Sequence, residues 1–216
     1  TKVFLNSGSE MRYPERFGKA RREVFLKGEA WFEVAKDSAR EFWVHAGAMD
    51  VKVLGTSFNV KAYERLETVA TTLVEGRGEV ACAGKSFQIV PGEQFVYDKN
   101  NRVMDVRMVD TESYVSWKDG YYKFRQTTLE EIMETLSVWY GLNVFYVNES
   151  AKQVEFTGKV KRYEDARMLL DKFEQTGDVV FDIKGNNVFI TIKQKKPFAR
   201  EWNSFLVKAR GMVWQS

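Results

Sequence analysis

Few side chains in this sequence are of a type and spacing that could do chemistry. His45 is the only histidine. As the base of a Ser-His-Asp triad it would need a serine presented on a sharp strand-to-helix turn, and no such motif lies nearby; it reads as a strand-end residue. Glu130 and Glu131 are adjacent carboxylates. A glycosidase pair has to flank a cleft at a defined separation, whereas two acids opening a helix are explained by the helix dipole. Gly76-Arg77-Gly78 is too short for a phosphate loop and no helix follows it, which leaves a hairpin turn. Cys82 stands alone, so neither an internal disulfide nor a multi-cysteine metal site is available. No group of residues has metal-ligand spacing, and no cofactor is expected. Six Trp and sixteen Phe read first as core and second as a platform for a sugar or a protein partner. The residues therefore point away from an enzyme acting on a separate substrate.

The elements that would carry these residues fall into two kinds. Up to about residue 110 the chain reads as strand after strand. Ala30, Phe32 and Val34 alternate with Trp31, Glu33 and Ala35, and Met49, Val51 and Val53 alternate with Asp50, Lys52 and Leu54; a period of two marks strands with unlike faces. Turn signals at Lys27-Gly28, Ala46-Gly47, Ala83-Gly84 and Pro91-Gly92 recur at short spacing, as in a β-sandwich, jelly roll or β-helix-like stack. No long helix is expected before residue 127.

Beyond Trp117 the period changes. Residues 128–140 predict a helix: Thr128 as cap with Glu131 closing a capping box, Leu129, Ile132, Met133, Leu136, Trp139 and Tyr140 on one stripe, and Gly141 as the stop. A second helix is expected over 164–175, ending at Gly177. Similar strands follow each glycine, at 142–147 and 178–183, and each glycine has a strand candidate 17 residues before it, at Phe124 and Val160. This is a β-α-β unit used twice, completed by strands near 154–157 and 188–192 into a small α+β domain. The expected domains are a β-rich one over 1–110 and the α+β one over 117–193, with a hinge at 110–116 and a basic aromatic tail over 194–216. Phe198, Trp202, Phe205, Leu206 and Ala209 would share one helical stripe in that tail, as for contact with a membrane or partner; a frayed end, an appended remnant or packing on its own domain is the plainer reading.

The formal net charge of +3 makes nucleic acid a poor candidate partner. The tail carries five basic residues against one acid, so the remainder is close to neutral and offers no field for a polyanion. Hydrophobic residues at 44% and charged residues at 29% suit an ordinary globular protein rather than a disordered one. No run of about 18 apolar residues and no signal peptide is present. The chain opens directly on a strand-like segment, so any targeting segment is expected upstream of Thr1.

Several strings together resemble one family. Residues 28–37 (Gly-Glu-Ala-Trp-Phe-Glu-Val-Ala-Lys-Asp) and 53–60 (Val-Leu-Gly-Thr-Ser-Phe-Asn-Val) resemble signature strands of FecR-type proteins. Leu5 to Ser9, Thr71 to Gly76 and Pro91 to Gln94 match flanking strands and a turn. Trp117 to Gly120 and Phe156 to Gly158 are similar to the associated C-terminal domain, which is related to the short signalling domains of secretins and TonB receptors. The likeness spans about residues 1–193; the tail departs from it. It implies the periplasmic part of a single-pass inner-membrane anti-sigma regulator. Its partners would be the signalling domain of a TonB-dependent outer-membrane transducer and, through a cytoplasmic segment outside this sequence, an extracytoplasmic-function sigma factor. The resemblance also marks Gly55-Thr56 as a bond that some FecR-type proteins cleave in their own chain; a tight bend between two strands, with Gly for geometry and Thr for β-propensity, explains the same pair and is favoured by the lack of a general base nearby in the sequence.

A small sheet with two helices leaves an edge of unpaired amides and carbonyls that can accept a partner strand. The candidate edges are Gln153, Val154, Glu155, Phe156 and Thr157, and Asn187, Val188, Phe189 and Ile190. The competing function is a carbohydrate-binding β-sandwich. An exposed row of coplanar aromatics would favour the sugar, and an open edge in the second domain would favour the relay.

Overall fold

A computed structural model describes residues 1–193; the 194–216 tail lies outside the described residues. The first unit is built from β1 (Lys2–Leu5), β2 (Glu10–Arg12), β3 (Arg21–Glu33), β4 (Glu41–Ala46), β5 (Met49–Val53), β6 (Ser57–Ala62), β7 (Thr68–Glu75), β8 (Gly78–Cys82), β9 (Lys85–Ile89), β10 (Glu93–Asp98) and β11 (Val103–Met108). They form one sheet in the order β11-β10-β7-β6-β3-β4-β5-β8-β9, with β1 and β2 also paired to β3. Only β3–β4 is parallel among these pairs.

The 13-residue β3 organises the sheet. Its first half pairs with β2 and β4, and its second half with β1 and β6. Phe87 of β9 packs on Phe95 of β10 with ring centroids 5.2 Å apart, so the ends of the path approach and the sheet nearly closes. Val24, Phe32, Phe42, Val51, Phe58 and Phe95 fill the interior. Ala30, Phe32 and Val34 point inward as the alternation requires. Trp31 and Glu29, on the opposite face, are buried as well, because the second unit covers them.

The segment 110–116, where the hinge is expected, carries regular structure. It forms α1 (Thr111–Val115), capped by the Asp110 carboxylate accepting from the Glu112 amide, and runs into a 3-10 turn over Ser116–Asp119. The second unit follows with β12 (Tyr121–Thr128), α2 (Leu129–Tyr140), β13 (Asn143–Tyr146), a 3-10 turn (Glu149–Gln153), β14 (Glu155–Lys161), α3 (Ala166–Thr176), β15 (Val179–Lys184) and β16 (Asn187–Ile192). The Thr128 hydroxyl accepts from the Glu131 amide at 3.3 Å, as a helix cap should. The segment near 154–157 and the candidate at Val160 are one strand, β14, rather than two. The second helix starts at Ala166 instead of Glu164, because Asp165 caps it by accepting from the Arg167 and Met168 amides. Gly177 is required by proximity: a Cβ there would lie 2.6 Å from the Phe156 ring.

The two β-α-β units divide their strands between sheets. Their first strands, β12 and β14, pair antiparallel, while their second strands, β13 and β15, flank β16 in a three-stranded sheet. Leu129, Ile132, Met133 and Leu136 of α2 and Leu169, Leu170 and Phe173 of α3 make a second core, which shares no residue with the first. Among the described residues no helix is long and apolar enough to cross a membrane.

Candidate functional site

Where the units meet, polar side chains are buried between them. Glu29 of β3 is 7% exposed. Its carboxylate accepts from Asn6 Nδ2 at 2.6 Å and from Asn59 Nδ2 at 2.8 Å. Asn59 Oδ1 in turn accepts from the indole N–H of Trp117, at 3.1 Å, on the turn that opens the second unit. Burial pushes the Glu29 carboxyl above the ordinary range, opposed by the charge of Lys61, the two amide donors and Arg162. Arg162, just after β14, donates to Ser7 Oγ at 2.8 Å and lies over the rings of Trp117 and Trp139 at 5.7 and 5.2 Å. Lys61 of β6 faces Glu134 of α2 at 3.8 Å; burial raises the Glu134 carboxyl, and Lys61 offsets part of that. Beside these contacts the units enclose a cleft of about 640 Å³, lined by Lys61, Thr72 and Gln94 on one wall and Tyr122, Glu134 and Trp139 on the other.

Sequence reasoning did not single out Glu29, Asn6, Asn59 or Arg162. The available signal was that Glu29 and Asn59 are polar residues inside strands otherwise rich in apolar ones. That pattern shows a solvent face as readily as a buried junction.

The candidate edge strands fare differently. Asn187, Val188, Phe189 and Ile190 lie in β16, which is paired on both sides, parallel to β13 and antiparallel to β15. The reading of this segment as an open edge is corrected: β13 arrives beside it from 44 residues earlier in the chain. Gln153 closes the 3-10 turn and Val154 follows it, its carbonyl accepting from the Leu129 amide. Glu155, Phe156 and Thr157 open β14, whose other edge is covered by no strand among the described residues. The Lys123 amide turns to Ser116 Oγ, and the Arg162 amide donates to the Gly120 carbonyl. The close pairs of the β12–β14 ladder are therefore Tyr122/Val160 and Phe124/Gly158, which leaves the amides of Lys159 and Lys161 facing away from β12. In the other sheet, the Phe181 amide of the outer strand β15 is taken by the Glu174 carboxylate.

Gly55 and Thr56 form the bend between β5 and β6. Thr56 is 3% exposed, and its hydroxyl donates to the Arg77 carbonyl at 2.9 Å. Gly76, at φ +91°, lies directly against the pair: a Cβ there would sit 2.8 Å from both the Gly55 carbonyl oxygen and Thr56 Oγ1. Val34 N–H donates to the Thr56 carbonyl at 3.0 Å and Asp37 N–H to the Leu54 carbonyl at 2.9 Å, so both sides of the bond are tied to the segment after β3.

The remaining candidates have structural partners. His45 pairs with Asp50 at 2.7 Å and stacks on Phe25. Glu130 faces Lys152 at 3.4 Å, and the Glu131 amide is the one capped by Thr128. Among the described residues no cluster of His, Cys, Asp or Glu could hold a metal ion.

Comparison with known proteins agrees with this architecture. The fold superimposes on two crystal structures, at 1.65 and 2.50 Å resolution, of a protein described as an anti-sigma factor from Parabacteroides distasonis ATCC 8503, with TM-scores of 0.80 and 0.78. Each is 26% identical, and the match covers 89% of this chain and 90% of that one. No curated protein shows significant sequence similarity. The family model for FecR protein matches residues 1–78, and that for the FecR C-terminal domain matches residues 121–190. The first falls on the β-rich unit and the second on the α+β unit, in family order; the chain belongs to the FecR family.

Proposed function

We propose that this chain is the periplasmic portion of an anti-sigma factor, relaying a signal from a TonB-dependent outer-membrane transducer to an extracytoplasmic-function sigma factor. Family membership and the likeness to an anti-sigma factor over nine-tenths of both chains support the anti-sigma role. The observation that carries the transducer side is the uncovered edge of β14. An extended segment of the transducer's signalling domain adds to β14 through the amides of Lys159 and Lys161 and the carbonyls beside them. Proline removes an amide donor and is tolerated on an edge strand. Lys159→Pro and Lys161→Pro should each weaken binding of the signalling domain at least about tenfold, or ~1.4 kcal/mol, by isothermal titration calorimetry, with thermal stability retained. Unchanged affinity in both would move recognition to another surface.

The carbohydrate reading finds less support. Phe25, His45 and Trp43 stack along the outside of β3 and β4, but Arg21 and Lys52 lie over the Trp43 ring at 5.1 and 5.7 Å. A sugar would have to displace these cations.

The Gly55-Thr56 bond is a second proposal. Thr56 Oγ1 attacks the Gly55 carbonyl carbon, the C–N bond breaks, and the hydroxyl proton passes to the freed amine; water then hydrolyses the ester to leave a carboxylate on Gly55. The hydrogen bond to the Arg77 carbonyl draws on the hydroxyl proton, and the absent Cβ of Gly76 leaves room beside the reacting atoms. Denaturing mass spectrometry should show a fragment beginning at Thr56 that is lost in Thr56→Ala. A chain that stays whole through prolonged incubation would show that the pair serves only as a bend.

A further inference from the structure

The junction has one member that belongs mechanically to β14. Arg162 directly follows the last residue of that strand, and its backbone is held at two points: its amide donates to the Gly120 carbonyl at 3.0 Å, and its carbonyl accepts from the Tyr140 hydroxyl at 2.9 Å. Its guanidinium leaves the second unit and reaches Ser7 Oγ, 155 residues away in the chain. From there the connections are continuous. Ser7 N–H donates to Asn6 Oδ1 at 2.8 Å, Asn6 and Asn59 hold the two oxygens of Glu29, and Asn59 holds the Trp117 indole, over which Arg162 itself lies. The circuit closes on the residue where it starts.

We propose that Arg162 couples the end of β14 to the buried Glu29–Asn59–Trp117 network, so that an event on β14 is felt inside the β-rich unit. The role of β14 as the partner strand rests on the proposed function; the coupling itself does not. Several features favour transmission over simple adhesion. A strand added along β14 would act on Lys159 and Lys161, and Lys161 is bonded to Arg162. The Arg162 backbone is tied to Gly120 and Tyr140 of the α+β unit, so a displacement of that unit's β14 end relative to the β-rich unit reaches the junction through its guanidinium. The network beyond it has little slack, since each oxygen of Glu29 has its own amide donor and each end of the Asn59 amide is engaged. Such a network can change by breaking a contact but hardly by bending one.

The Trp117 indole N–H reports on this in NMR spectra of the chain, assigned by its loss in Trp117→Phe. Without any partner, Arg162→Met should speed hydrogen exchange at that N–H by about tenfold or more while core amides such as that of Phe58 stay protected. Ser7→Ala, which removes only the acceptor on the far side, should act in the same direction and covers the case in which Arg162→Met folds poorly. Exchange at wild-type rates in both variants would overturn the coupling. In a second arm, the signalling domain of the transducer is added. The Trp117 signal should shift in the wild type and stay in place in Arg162→Met, with affinity held within about threefold; an equal shift in the variant would also overturn the proposal. If the wild type binds no signalling domain, the partner reading of β14 fails, while the first arm still decides whether Arg162 ties the units together.

Discussion

Phe32→Ala is expected to destabilise the β-rich unit by about 3–5 kcal/mol. Phe32 is 0% exposed, stacks on Phe58 with centroids 5.0 Å apart and planes at 14°, and lies 6.0 Å from Phe42. It sits on the half of β3 that pairs with both β1 and β6, so neighbouring strands limit how far the backbone can collapse into the space left by the ring. The cost therefore contains a cavity contribution in addition to the lost transfer energy. Phe32→Leu refills most of that volume and should cost clearly less. Denaturant titration with an unchanged slope would measure both. A loss below about 1 kcal/mol for alanine would mean that this face of β3 is not the interior.

Leu136→Ala should cost about 2–5 kcal/mol, and in the other unit. Leu136 is 1% exposed and central on the apolar stripe of α2, within a cluster that includes Leu169, Phe173, Val188 and Ile190. Because the two cores have no residue in common, Phe32→Ala and Leu136→Ala should add to within about 0.5 kcal/mol in the double variant. Each should chiefly affect hydrogen exchange in its own unit. A large interaction energy between them would mean that the units fold as one body, with the polar junction carrying more of the stability than its hydrogen bonds suggest.

Local patterns made part of this structure legible. The helix at 128–140 was readable because cap, stripe and left-handed glycine agree within fifteen residues, and α2 covers Leu129–Tyr140. The repeated unit was readable because its two copies keep the same spacing. Features that depend on distant segments were not. Pairing of β16 on both sides requires β13, a parallel neighbour brought in by a crossover, and nothing in residues 187–192 announces it. Glu29 and Trp31 fall on the face that alternation assigns to solvent; they are buried because Trp117 and Lys118 of the second unit lie over β3 and β6. Residues 110–116 look like a polar linker, yet Asp110 has the spacing to cap a single turn of helix, and that turn packs into the junction. The junction was thus half visible: counting strands leads to an open edge in the small sheet, found at β14 and not at β16, while the polar network arises only where the units dock.

The central claim is that the α+β unit receives the signal from the transducer and that the β-rich unit passes it on toward the sigma factor. The most direct measurement is sigma-dependent transcription in cells producing the full-length regulator and its transducer, with and without the transducer's ligand. The account predicts that Lys159→Pro, at a level of protein equal to wild type, abolishes the ligand-induced change in transcription. Induction of normal size in that variant would contradict it.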